Sequence, residues 1–141
     1  MTRDLVGTKR THSGAETEAF GAALGERIRG GACVCLAGPL GAGKTVLVAG
    51  LCRGLGVRDP VTSPTYILME SFTGRLSIVH LDLYRLDHER EIEELGIFDL
   101  WAKDAVVIPE WGGRSPALHA AADIDIRIEP EDGDARTIRV H

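Results

Sequence analysis

The 141-residue sequence contains no asparagine and no glutamine. The first absence excludes guanine recognition through an N-K-x-D segment, and the second removes the glutamine with which signalling GTPases place an attacking water. Cysteine is scarce, with only Cys33, Cys35 and Cys52. Cys33 and Cys35 form a C-x-C pair on one side of an expected strand. No second Cys or His pair stands at finger-like spacing, so small apolar packing is the preferred reading over zinc ligation. The histidines, His12, His80, His88, His119 and His141, are scattered and suggest no metal cage. No apolar run approaches the roughly 20 residues of a membrane helix. The first residues, with Asp4, Gly7 and Lys9, lack a signal-peptide core. A cytoplasmic location without membrane contact is therefore expected. A basic excess is missing too. The net charge of -5 and pI near 5.5 argue against free-standing nucleic-acid binding, which uses a face that displaces phosphate counterions. Contact with RNA would be arranged by a partner.

What remains is ordinary globular composition: 44% hydrophobic and 26% charged residues, enough to bury a core and not a disordered balance. The length suits one domain, residues 1–141, and leaves no room for two. Ser13 with Glu16 three residues later reads as a capping box, and Phe20, Leu24 and Ile28 recur at helical spacing. A helix over about Ala15 to Arg29 follows. Ala32 to Leu36 and Ala105 to Ile108 are short continuous apolar runs of the kind that parallel strands need when both faces are covered. Between them, Lys44 to Leu55 reads as a helix closed by Gly56, the stretch around Pro60 and Pro64 as an extended loop, and Asp87 to Leu95 as a charged helix. Tyr66 to Phe72 and Leu76 to Leu81 read as a hairpin turning at Thr73-Gly74, with Asp82 at a strand end. In the tail, Ile124, Ile126 and Ile128 alternate with Asp125, Arg127 and Glu129. A turn at Glu131 to Asp134 then leads into a last strand over Arg136 to Val140.

The segment Gly38-Pro-Leu-Gly-Ala-Gly-Lys44-Thr45 fits G-x-x-x-x-G-K-[ST] and lies between an expected strand and an expected helix. Glycines let the backbone curl and aim N–H groups at phosphates, while the helix N-terminus adds partial positive charge. Lys44 supplies a point charge for the β- and γ-phosphates, and Thr45 offers a hydroxyl to magnesium. The expected nucleotide-contacting set is Gly38, Gly41, Ala42, Gly43, Lys44, Thr45 and Val46. The expected fold class is α/β: a three-layer, P-loop NTPase-like arrangement with a mostly parallel central sheet plus antiparallel strands. Hydrolysis needs a second carboxylate near the metal and a group that orients water. Asp82 and Glu110 both follow apolar runs, and either projects past the carboxyl end of a strand, the edge where open α/β sheets bind ligands. A solvated loop carboxylate or a helix cap is the alternative for each. Without the guanine motif, ATP with Mg2+ is the expected pair.

GPLGAGKT, VTSPTYIL, HLDLYRL with Glu93-Glu94-Leu95-Gly96, and PEW follow one another in an order and spacing that resemble the TsaE family, formerly YjeE, over nearly the whole chain. The resemblance implies a bacterial ATPase serving the TsaB and TsaD proteins as they form threonylcarbamoyladenosine next to the tRNA anticodon. In that family TsaD carries out the transfer, and the resemblance implies that ATP hydrolysis drives turnover of the complex. It further implies Lys44 and Thr45 as phosphate and magnesium residues, Glu110 as the second magnesium carboxylate, and Asp82 in a switch-like HxDxYR segment. Ser63 and Thr65 fall in a second mobile loop. Trp111 falls near the nucleotide, and the Ser13 to Thr17 region and Arg136 near the base. Pro39 and Pro109 depart from the family pattern, and Pro109 bears on how the backbone aims Glu110. Two other readings share the loop: a small-molecule phosphotransferase, which lacks room here for an acceptor pocket and lid, and a nucleotide-gated binding module with negligible hydrolysis of its own.

Overall fold

The computed structural model describes residues 6–39, 41–58, 69–83, 96–111 and 115–141. In chain order these form β1 (Gly7–Thr11), α1 (Gly14–Gly25), β2 (Val34–Ala37), α2 (Lys44–Gly54), β3 (Met69–Thr73) and β4 (Ser77–Asp82). There follow α3 (Ile97–Ala102), β5 (Val106–Glu110), α4 (Pro116–Ala120), β6 (Ile124–Pro130) and β7 (Arg136–Val140). The strands make one seven-stranded sheet in the order β1-β7-β6-β2-β5-β4-β3. Its middle, β6-β2-β5-β4, is parallel. Both flanks are antiparallel, through β7 and β1 on one side and β3 on the other. This is the expected α/β class.

Two cores sandwich the sheet, because successive strand side chains point to opposite faces. Ile78, Val106, Ile108, Ile124, Ile126 and Ile128 face α1 and α2. Val79, Leu81 and Val107 face the other way, with Ile97 of α3 and Leu118 of α4. Three layers result, with helices on both faces of the parallel strands.

Helix α1 begins where the capping box places it: Glu16 N–H donates to the Ser13 hydroxyl, and the Glu16 side chain accepts from His12 N–H. It ends at Gly25, four residues before the expected Arg29. Arg27 and Ile28 N–H turn back to Leu24 O and Gly25 O, and the Arg75 guanidinium donates to Gly25 O and Ile28 O. A cation on the last carbonyls satisfies the helix end and so stops it. The buried stripe also differs from the apolar spacing, for it runs through Thr17, Gly21, Leu24 and Gly25, with Phe20 only half-buried. A Cβ on Gly21 would stand 2.7 Å from Leu47 O, and one on Gly50 would stand 2.3 Å from Glu18 O. The glycines thus let α1 and α2 meet backbone to backbone.

Strand β5 corrects another boundary. Pro109 and Glu110 belong to the strand instead of leaving its end. Val107 and Trp111 N–H donate to Ala32 O and Leu36 O of the β2 side. Residue 109 would point the same way and has no N–H to give. The β2–β5 ladder is accordingly reduced to an isolated Cys33–Val107 bridge and the Leu36–Glu110 pair. On its other edge β5 stays in unbroken parallel register with β4, including Leu81 with Pro109 and Asp82 with Glu110. Proline therefore opens the sheet on one side without moving Glu110 off the strand. The hairpin forms as expected, though over Met69–Thr73 and Ser77–Asp82. The expected helix at Asp87 to Leu95 lies outside the described residues. β1, α3 and α4 are further elements for which the sequence reading made no provision.

Candidate functional site

The glycine-rich turn leaves β2 and enters α2 at the carboxyl edge of the parallel strands. All of it but Leu40 is described. Gly41 and Gly43 adopt φ of +80° and +97°, a region that only glycine enters without strain. The first helical hydrogen bond is Leu47 N–H to Gly43 O, and no side chain caps the helix. Gly43, Thr45 and Val46 N–H have no acceptor among the described residues. Donors left this way at a helix start, carrying the positive end of the dipole, are built to receive an anion.

Lys44 heads the helix but is nearly buried, at 7% exposure. Its Nζ lies 3.7 Å from Glu110 Oε1 and 4.4 Å from the Trp111 ring centroid. The ammonium is thus held between a carboxylate and an aromatic face. Trp111 itself sits at φ +62°, uncommon for a bulky residue and characteristic of functional segments that the fold over-determines. Glu110 is 4% exposed, and its other oxygen, Oε2, lies 2.5 Å from Nε2 of the fully buried His80. With the carboxylate ionised, Nε2 carries the proton and donates. Asp82, half-buried, pairs with Glu110 in the β4–β5 register, so the two carboxylates leave adjacent strand ends on one face.

Residues scattered in sequence meet here: Lys44 lies against Glu110 and Trp111, Asp82 stands in register beside Glu110, and Thr45 and Val46 are exposed at the start of α2. Gly38 is packed so tightly on β6 that a Cβ would stand 2.4 Å from Ile128 O. Ala42 is buried under the loop. Arg136 reaches the loop from β7 by donating to Ala42 O. Thr65 and Ser63 lie outside the described residues. Sequence reasoning missed His80. Its signal was a histidine two residues before Asp82, at strand periodicity on the same face, which a search for metal-ligand spacing does not register. Cys33 and Cys35 do share one side of β2, both sulfurs directed at Leu118 O. The hydrogen bond with Cys35 first, and burial second, push the Cys33 thiol up, while the same hydrogen bond holds Cys35 below its ordinary value.

Beside the loop, a cavity of about 170 Å³ opens among Gly14, Thr17, Gly43, Val46, Asp134 and Arg136. A larger one, about 370 Å³, lies among Arg27, Arg29, Gly31 and Asp123 at the amino ends of β2 and β6. Open parallel sheets bind ligands at the carboxyl ends, so the smaller cavity is the relevant one. Among the described residues no three His, Cys, Asp or Glu side chains form a metal cage.

The family model for TsaE, described as threonylcarbamoyl adenosine biosynthesis protein TsaE, matches residues 11–138. The chain belongs to the TsaE family. A TsaE named as a tRNA threonylcarbamoyladenosine biosynthesis protein in Mycobacterium leprae is 42% identical over 123 residues, spanning 81% of this chain and 76% of that relative. One from Treponema pallidum, with the same name, is 36% identical over 104 residues, or 74% and 77% of the two chains. Among solved structures, the crystal structure of Bacillus subtilis YdiB superposes with a TM-score of 0.71 at 26% identity, covering 93% of this chain and 81% of that one. The TsaE match takes in the phosphate-type loop, Asp82 and Glu110. No helix among the described residues is long and apolar enough to cross a membrane.

Proposed function

We propose that this TsaE-family chain binds ATP with magnesium at the Gly38 to Thr45 loop and hydrolyses it. In this reading it supports TsaB and TsaD in forming threonylcarbamoyladenosine in tRNA, without touching the tRNA on its own. The observation that carries the nucleotide part is the set of amides at Gly43, Thr45 and Val46 without acceptors among the described residues, next to a lysine whose charge is already balanced within the site. An anion entering the loop meets those donors first. Lys44 would pair with the phosphates, and Glu110 with the Thr45 hydroxyl would hold the magnesium ion. Magnesium, when bound, offsets the repulsion between phosphate oxygens. In this reading Asp82, which stands beside Glu110 in register, orients the attacking water. In this reading the base enters the cavity between the start of α1 and the β6–β7 turn.

The tRNA-modification role rests on family membership and the printed names of relatives. It is tested by measuring phosphate release from ATP by this protein alone and with TsaB and TsaD added. Stimulation by the partners is the expected result. Phosphate transferred to a small acceptor, or ATP binding that calorimetry fails to detect, would overturn the assignment.

A further inference from the structure

Arg136 stands behind the loop, and four of its five N–H donors are engaged there. Nε donates to Ala42 O at 2.8 Å and Nη2 to Gly41 O at 3.4 Å. Nη1 donates to Ala135 O at 2.8 Å and Gly133 O at 3.0 Å in the β6–β7 turn. One guanidinium therefore ties two consecutive loop carbonyls to a turn about 90 residues away in sequence. A trans peptide fixes each carbonyl antiparallel to the next N–H. Holding Ala42 O toward Arg136 consequently turns Gly43 N–H toward the opposite side, and that N–H has no acceptor among the described residues. Ala42 N–H is closed internally onto Pro39 O, so the loop has one conformation left to choose, and Arg136 chooses it. The positive charge also polarises the held carbonyls, which strengthens the N–H on the far side as a donor.

We infer that Arg136 is a positioning residue that presets the phosphate loop through its carbonyls. For its ligand this rests on the ATP reading above, although the preset loop does not. Because Arg136 also lines the base cavity with Thr17 and Asp134, the β6–β7 turn and the loop are held as one unit. Arg136→Lys keeps the charge but not the planar fork.

The test uses the full chain and has two arms. In ligand-free protein, amide exchange at Ala42, whose N–H is bonded to Pro39 O, is expected to accelerate in Arg136→Lys and Arg136→Gln, at an unchanged far-UV spectrum. In calorimetry with ATP and with inorganic tripolyphosphate, which has no base, both affinities are expected to fall by the same factor. That factor is ~10-fold, the loss when a loop is binding-competent about a tenth of the time. Unaltered amide exchange, or a loss confined to ATP, would overturn the inference. If the wild-type protein bound neither ligand, the ATP reading would fall while the exchange arm still decided whether Arg136 presets the loop.

Discussion

At the residue scale, the site is a chain of charge partners in which each group depends on the next. Lys44 is nearly buried against Glu110, and Glu110 is held from its other oxygen by His80. Lys44→Ala is expected to abolish tight ATP binding, because it removes the phosphate cation and leaves Glu110 buried without its charge partner. Undiminished binding by calorimetry would refute this. His80 acts one step behind. A residue that aims a metal ligand typically contributes ~10- to 100-fold to metal affinity. His80→Ala should weaken the magnesium dependence of ATP binding on that scale and leave magnesium-free binding near the wild-type level. His80→Gln, whose side-chain amide can still donate to Glu110, should recover part of the loss. Equal loss with and without magnesium would make His80 a packing residue only. Asp82→Ala, one strand away, is expected to suppress phosphate release while nucleotide affinity stays within a few-fold, which parallel binding and turnover assays would resolve.

At the element scale, the loop is only as well placed as the two helices beside it. α2 carries Lys44 and packs on α1 through Gly21, Gly25, Gly50 and Gly54, each of which would bring a Cβ within 2.7 Å of a backbone oxygen. Gly50→Ala gains roughly 1 kcal/mol of helix propensity, yet it must push α1 away from α2 at a cost of about 1–3 kcal/mol or more. Separation wins, so thermal melting should drop by several degrees and nucleotide affinity should fall with it. A melting temperature at or above wild type would show that the helices can part freely. These glycines also explain what was legible in the sequence. Ser13 and Glu16 start α1 through local hydrogen bonds, and β2, the loop and α2 follow from apolar runs and turn chemistry within a few residues. Phe20 was a misleading marker, because the α1–α2 contact selects for small residues and hydrophobic periodicity cannot register a glycine stripe. Pro109 was hard to place for a similar reason. A proline inside a central strand leaves one edge of its ladder open, here the edge facing β2, and the sequence of β5 alone does not say which neighbour goes without the bond. His80 escaped notice because its partner, Glu110, is 30 positions away.

At the scale of the whole molecule, the site sits where a parallel centre, built by β2, β4, β5 and β6, meets α2 on one face. Global stability is therefore also stability of the site. Cys52 of α2 reports on it, being fully buried in that core. Burial first, and the Glu70 charge second, push its thiol up from 9.0 to about 12. The sign follows from linkage. Below pH 9.0 the thiol is protonated in folded and unfolded chains alike, and its contribution is fully present. Between 9.0 and about 12 the unfolded chain loses the proton while the folded one keeps it, so stability falls as pH rises through that window. The slope approaches about 1.4 kcal/mol per pH unit for one group. Denaturant unfolding at pH 8 and pH 10 should show the wild-type protein losing more stability than Cys52→Ala over the same step. Cys33 and Cys35 are present in both proteins, so their own titration cancels from the difference. Native protein should likewise resist alkylation at Cys52 until it unfolds. Identical pH slopes for the two proteins, or rapid labelling of Cys52 in the folded state, would place this thiol in contact with solvent and the α2 face of the core correspondingly open.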